Sequence, residues 1–326
     1  MTNDITIAEI ISLLKERERI IIISHVRPDG DTLACAYALG SILTNMGKKV
    51  LYISSDRVSE RLKFLCKEPM LLPDEIPSDF KADLIVSVDV ASVSMLGNCK
   101  DIIKMAESVK IDHHVGDNCF ADHNYTEPKS ASCSGIIYGI ANELTDNNMP
   151  FEVCELLYAG ISFDTGCFKH SNVTHSTHEK AAYLVSRGVD TSDINAKLFG
   201  NKTKKEISAL KLAYNSLEFF EDGKVAIVCI TNEMKNKYDL NDDDVSDLAQ
   251  IPIEIEGVLL GITLKEKGDA AGNFKVSMRS KPGVDAGNIC RKLGGGGHVC
   301  AAGGLVIADN KDEATNKVLD AAKGEI

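Results

Sequence analysis

The chain has 326 residues, 44% hydrophobic and 26% charged, with 48 acidic against 36 basic side chains and a net charge of −12. That length favours two domains, and the acidic balance argues against a grip on long duplex nucleic acid, which needs many lysine and arginine contacts to phosphates. No apolar run approaches the roughly 20 residues that span a bilayer, so no membrane association is expected.

The N-terminus carries an acid and no basic stretch, unlike a signal peptide. The ten cysteines form no C-x-x-C pair. They read as reduced core thiols, and the chain is expected in the cytoplasm. A short anionic substrate stays compatible with the charge.

The first half alternates strand and helix. Residues 20–24 are an apolar strand; 31–46 have helical spacing, with Gly47 as the stop. Strands are expected at 50–54, 84–88 and 109–111, and helices at 133–144, 151–161 and 176–188. This rhythm of β-branched runs and helices predicts an α/β fold with a mainly parallel, Rossmann-like sheet covered on both faces. Residues 1–190 would form this catalytic, metal-binding domain. Helices at 191–220, including a long amphipathic one at 204–219, would connect it to a smaller α/β domain with a mixed sheet at 221–326. Strands there are expected at 225–230, 258–265, 274–279 and 305–307, with a helix at 286–293. Asp242-Asp243-Asp244 reads as a solvated turn.

Six candidate metal ligands sit in four short clusters near the ends of these elements. His25, Asp29 and Asp31 lie in His25-Val26-Arg27-Pro28-Asp29-Gly30-Asp31, Asp89 ends a strand, His113 lies in Asp112-His113-His114, and Asp164 opens Asp164-Thr165-Gly166. Open parallel sheets gather ligands outside the carboxyl ends of their strands, so three clusters should converge on one edge. Four carboxylates and two imidazoles, without thiolate, suit Mn²⁺ or Mg²⁺, with Co²⁺ a further candidate, over a cysteine-built structural zinc. Carboxylates bridge, so Asp89 and Asp164 could be shared by two cations. Neighbouring side chains in extended backbone point apart, so His113 and His114 should have different tasks.

A glycine run, Gly294-Gly295-Gly296-Gly297-His298, lies inside the second domain. Bare backbone N–H groups cradle anions, and His298 adds a donor. Arg279 and Ser280, at a strand end, would bring charge and a hydroxyl to the same anion.

These motifs resemble, in order and roughly in spacing, those of the DHH-family phosphoesterases, and the glycine–histidine run resembles the signature of the DHH-associated C-terminal domain. The resemblance spans nearly the whole chain. Length and layout are most similar to the family's bifunctional oligoribonucleases and pAp phosphatases. It implies that His25, Asp29, Asp31, Asp89, His113 and Asp164 hold two Mn²⁺. Asp112 would position the site from behind, and His114 would contact the scissile phosphate or the leaving oxygen. Arg279, Ser280, Gly295, Gly296, Gly297 and His298 would hold a terminal phosphate or base. The implied substrates are short single-stranded oligoribonucleotides, linear dinucleotides and 3′-phosphoadenosine 5′-phosphate (pAp). A homodimer is compatible with the family. The alternative is a pyrophosphatase or polyphosphatase of the same superfamily.

Overall fold

The computed structural model describes residues 3–114, 119–200, 202–242 and 244–326. Asp243 of the expected acidic turn lies outside them. Two compact units divide the chain, Met1–Asn201 and Lys202–Ile326. The division falls inside the segment 191–220 expected as a connector.

The first unit runs β1 (Asn3–Asp4), α1 (Ile7–Glu16), β2 (Arg19–Ile23), α2 (Gly30–Asn45), β3 (Lys49–Ile53), β4 (Met70–Leu71), β5 (Leu84–Val88), β6 (Glu107–Asp112), β7 (His123–Thr126), α3 (Cys133–Leu144), α4 (Phe151–Asp164), α5 (His175–Ser186) and α6 (Thr191–Asn195). Its sheet has the order β1-β7-β6-β5-β2-β3-β4, and every ladder is parallel. The isoleucines of β2 show why it is covered on both faces. Ile20 and Ile22 enter the core made with α2, α3 and α4, while Ile21 and Ile23 enter the opposite core with Leu96 and Ile103. Each such burial stabilises by about 1.5–3 kcal/mol. After β2 the chain steps outward through β3 and β4; from β5 it steps the other way. The order therefore reverses between β2 and β5, the point where open parallel sheets gather ligands at the strands' carboxyl ends.

The second unit contains α7 (Lys204–Asn215), β8 (Leu217–Phe220), β9 (Val225–Ile230), α8 (Asn232–Lys237), β10 (Leu260–Lys267), β11 (Ala270–Ser280), α9 (Ala286–Lys292), β12 (Gly296–His298), β13 (Ala301–Ile307) and α10 (Lys311–Ala322). Its sheet, ordered β12-β13-β11-β10-β9-β8, is mixed: β9 and β10 pair in parallel and the other ladders are antiparallel. Val225 and Ile227 face one core, Val228 and Ile230 the other.

Two expectations need correction. The helix expected over 204–219 stops at Asn215, because Leu217–Phe220 turns back as an edge strand on β9 through a tight turn at Glu221, Asp222 and Gly223, all with positive φ. The glycine run is not wholly a loop either, since Gly296–His298 pairs with β13. Among the described residues no disulfide forms and no helix is long and apolar enough to cross a membrane.

Candidate metal centre

His25 and Asp89 leave the carboxyl ends of β2 and β5, the two strands that flank the reversal, and His113 and His114 follow β6. Asp29 is the N-cap of α2 and accepts from the backbone N–H groups of Asp31 and Thr32 at 2.9 and 3.1 Å. This bond fixes its carboxylate beside Nε2 of His25, 3.5 Å away. Asp31, in the first turn of α2, is fully buried. It accepts from the N–H groups of Cys133 at 2.6 Å and Ser134 at 3.0 Å, at the start of α3. Asp164 comes from the last residue of α4, which runs one turn beyond the expected 161. α4 can lie close to α2 because residue 160 is glycine: a Cβ there would fall 2.7 Å from Oδ1 of Asp31.

The six candidates converge. Three groupings of ligand atoms lie within 4.8 Å: Asp89, His113 and His114; His25, Asp29 and Asp89; and Asp31, His113 and Asp164. Asp89 is shared by two of them, and Asp164 belongs to one. Oδ2 of Asp89 is 3.6 Å from Nε2 of His25, and its Oδ1 is 3.4 Å from Nε2 of His113, which is 3.1 Å from Oδ2 of Asp164. Both imidazoles are held through their other nitrogen. Nδ1 of His25 is bonded to the carbonyl of Val26 at 2.7 Å and Nδ1 of His113 to that of Ser130 at 3.3 Å. A carbonyl only accepts, so Nδ1 carries the proton and Nε2 is the atom left for a ligand.

The donor set fits divalent cations. Oδ1 of Asp89 and Nε2 of His113 are buried and have no hydrogen-bond partner, although they lie 3.4 Å apart. Buried polar atoms are normally satisfied, so two orphans facing each other mark a place for a charge between them. Asp89 also holds a left-handed backbone, φ 60°. A non-glycine residue rarely adopts it without cause, and here it turns the carboxylate into the cluster. Electrostatics agree. Burial, with Asp164 and Asp89 close by, pushes the Asp31 carboxyl well above its ordinary value. Burial pushes Asp89 up to about 6, with the nearby His113 imidazole acting against it. Burial alone would lower the histidines, but Asp29 and Asp89 raise His25 to about 9, and Asp164 and Asp89 raise His113 to about 12. Without cations the site thus holds protons to offset its crowded carboxylates. Four carboxylates, Asp29, Asp31, Asp89 and Asp164, match the charge of two divalent ions.

Asp112 and His114 sit beside this cluster. Oδ1 of Asp112 accepts from the backbone N–H of His113 at 2.9 Å and lies 2.8 Å from Nδ1 of His114. The His114 side chain is 42% exposed, so its Nε2 remains available to a substrate. The bond to Asp112 raises the His114 pKa. Asp112 is held low: burial would raise it, but His114 and Lys110 outweigh that. Two supports were not anticipated from the sequence. Lys110 is buried in β6 with its ammonium 3.2 Å from Oδ2 of Asp112, and residues 130–134 hold both Asp31 and His113. A lysine between Val109 and Ile111 was the available signal for the first, and Ser132 as an N-cap for the second.

The candidates in the second unit sit differently. Ser280 is buried, and its hydroxyl bonds the carbonyls of Val284 at 2.7 Å and Val299 at 3.1 Å. Half-buried Arg279 donates to the carbonyl of Met278 at 2.9 Å, and His298 is exposed on β12. Gly295 passes against β13, where a Cβ would meet the carbonyl oxygen of Gly303 at 2.3 Å. Glycine there is required by packing, whatever the loop binds.

Comparison with known proteins bears on both units. The DHH family, N-terminal domain, matches residues 19–161, and the DHHA1 domain matches residues 222–324. The chain is 26% identical over 308 residues to the probable bifunctional oligoribonuclease and PAP phosphatase NrnA of Streptococcus mutans, covering 93% of this chain and 95% of that protein. It is 27% identical over 318 residues to the bifunctional oligoribonuclease and PAP phosphatase NrnA of Bacillus subtilis, covering 96% of each. The fold is shared with an exopolyphosphatase-related protein from Bacteroides fragilis, at a TM-score of 0.87 and 23% identity over 97% of this chain and 95% of that one.

Proposed function

The chain belongs to the DHH family, with a DHH domain followed by a DHHA1 domain, and we propose that it is a metal-dependent phosphoesterase that cleaves short oligoribonucleotides and linear dinucleotides to mononucleotides and removes phosphate from pAp. The observation that carries this is the convergence of His25, Asp29, Asp31, Asp89, His113 and Asp164 around the orphaned atoms of Asp89 and His113. The substrate class is supported by the names of relatives matched over nine-tenths of both lengths. We assign residues 1–190 to catalysis and 221–326 to substrate binding, joined by 191–220.

Oxygen and nitrogen donors without thiolate favour two Mn²⁺, with Mg²⁺ or Co²⁺ as substitutes. Cations held there supply charge against the non-bridging phosphate oxygens and lower the pKa of an attacking water. The protein's own groups do the rest. The bonds to Val26 and Ser130 aim the two imidazoles, and the α3 N–H groups fix the position of the Asp31 carboxyl group. His114, kept protonated by Asp112, points Nε2 at the departing oxygen and can give it a proton. Arg279, His298 and the backbone of Gly296 and Gly297 are assigned to the rest of the nucleotide, while the N–H of Gly295 is donated to the carbonyl of Cys290 at 2.8 Å and shapes the loop. Ser280 enters as a brace for that region.

Purified protein should release AMP from pAp, and mononucleotide from an RNA dinucleotide, with Mn²⁺ present; Asp89→Ala should release neither. Silence of the wild type on both, with metal bound, together with phosphate release from pyrophosphate, would replace this reading with the pyrophosphatase alternative.

A further inference from the structure

A cavity of about 250 Å³ lies in the first unit, on the other side of residues 130–132 from the metal centre. The carbonyl of Ser130 faces His113, while the hydroxyls of Ser130 and Ser132 line the cavity. The cavity exists because residue 135, in the first turn of α3, is glycine. A Cβ at that position would stand 2.8 Å from Oγ of Ser130, 3.5 Å from Oγ of Ser132 and 3.6 Å from Nζ of Lys180. Three polar groups from two parts of the chain thus converge on one space that a side chain would fill.

The charge there is incompletely offset. Lys180, from α5, forms no ion pair or hydrogen bond among the described residues. Burial lowers its pKa, and Glu127 acts against that shift only through longer-range charge. Glu127 also lines the cavity, but it accepts from the hydroxyl of Tyr125 at 3.0 Å, and exposed Lys129 stands on the same wall. Two lysines against one engaged carboxylate leave a positive site. A half-buried ammonium with the Ser132 hydroxyl beside it suits a compact anion with several acceptor oxygens.

We propose that this cavity is an anion subsite that takes a phosphate group other than the one hydrolysed, with Lys180 as its cation and the Ser132 hydroxyl as a donor; the Ser130 hydroxyl, donated to the carbonyl of Ser132 at 2.9 Å, braces the wall. Ser130 borders both places, its carbonyl on His113 and its side chain in the cavity, so the subsite neighbours the candidate metal centre. The ligand is either that second phosphate or free inorganic phosphate. The first case rests on the phosphoesterase reading above.

The test compares metal-loaded wild type, Lys180→Gln and Gly135→Val, the last filling the cavity with the lysine kept. Melting temperatures within a few degrees of wild type qualify each variant. Turnover is measured on a dinucleotide with a 5′-phosphate and on the same dinucleotide without it, and inorganic phosphate binding is measured by calorimetry. If the substrate's second phosphate occupies the subsite, both variants lose about tenfold of the preference for the phosphorylated dinucleotide, through KM. If free phosphate occupies it, the preference stays while one phosphate equivalent per chain disappears from the titration. Unchanged preference together with unchanged phosphate stoichiometry overturns the proposal, as does an equal loss of kcat on both dinucleotides. Should the wild type cleave no nucleotide, the phosphoesterase reading fails and the phosphate titration alone decides the subsite.

Discussion

At the scale of single residues, Asp89 is the most exposed to test. Its carboxylate serves two of the three ligand groupings while its backbone holds φ 60°. Asparagine tolerates that conformation, so Asp89→Asn should keep the fold and lose the charge. We expect turnover to fall at least ~100-fold, the upper end of the loss seen even when groups behind a metal ligand are removed. Circular dichroism would report the retained fold, and metal analysis the lost occupancy; full activity in this variant would sink the two-cation site. Lys110 makes a different kind of contribution. Its side chain and that of Asp112 are 2% and 1% exposed. Lys110→Met leaves Asp112 buried without its ammonium, which should cost about 3 kcal/mol. It should also slow catalysis roughly 10–100-fold, because His114 is aimed through Asp112. Denaturant unfolding measures the first effect and kcat the second. A variant as stable as wild type would mean that water or the remaining bonds to Asp112 replace the lysine.

At the scale of elements, the buried strands of the first unit were legible from sequence because each is a short apolar run, and both faces of the sheet demand one. Less legible were the short pieces whose pairing is decided elsewhere in the chain. Leu217–Phe220 continues the helical pattern of α7, yet the turn at 221–223 gives it a ladder on β9. Gly296–His298 has no side-chain pattern to read. It is a strand only because β13, with Gly303 and Gly304, lets bare backbone approach. That close approach is testable. In Gly295→Ala the new Cβ would meet the backbone of Gly303 and Gly304 at 2.3 and 2.7 Å, neither of which can swing away. We expect a loss of about 1–3 kcal/mol confined to the second unit. Hydrogen exchange should show faster opening of β12 and β13 with the protection of β2 and β5 unchanged. Unaltered exchange in β12 would mean that the strand tolerates the methyl and that the glycine serves a ligand instead.

At the scale of the whole molecule, the convergence of the six candidate ligands could be read from sequence because each sits near the end of an apolar element, where an α/β sheet places ligands. The supports from residues 130–134 were legible only in part: Ser132 reads as an N-cap, but nothing in Ser130-Ala131-Ser132 says that the helix start will meet Asp31. The assembled centre has a consequence that no single residue carries. In the cation-free protein Asp89 titrates at about 6, above the ordinary carboxylate value of 3.8, and His25 at about 9, above 6.5. Both folded-state values are raised, so the folded chain binds more protons than the unfolded one between each pair of values. The stability contributed by His25 is complete below 6.5 and fades as pH rises through 9; that of protonated Asp89 is complete below 3.8 and fades through 6. Cation-free protein should therefore lose stability steadily from pH 4 towards 9, as carboxylates are left facing one another. Divalent cations reverse the sign, because they bind the deprotonated ligands and must displace the protons held by His25 and His113. Calorimetry at pH 7 in buffers of different ionisation enthalpy should show about two protons released as the site fills. Affinity should strengthen with pH, and Mn²⁺ should raise the melting temperature more at pH 8 than at pH 6. Metal uptake without proton release would show that the two imidazoles are not the ligands.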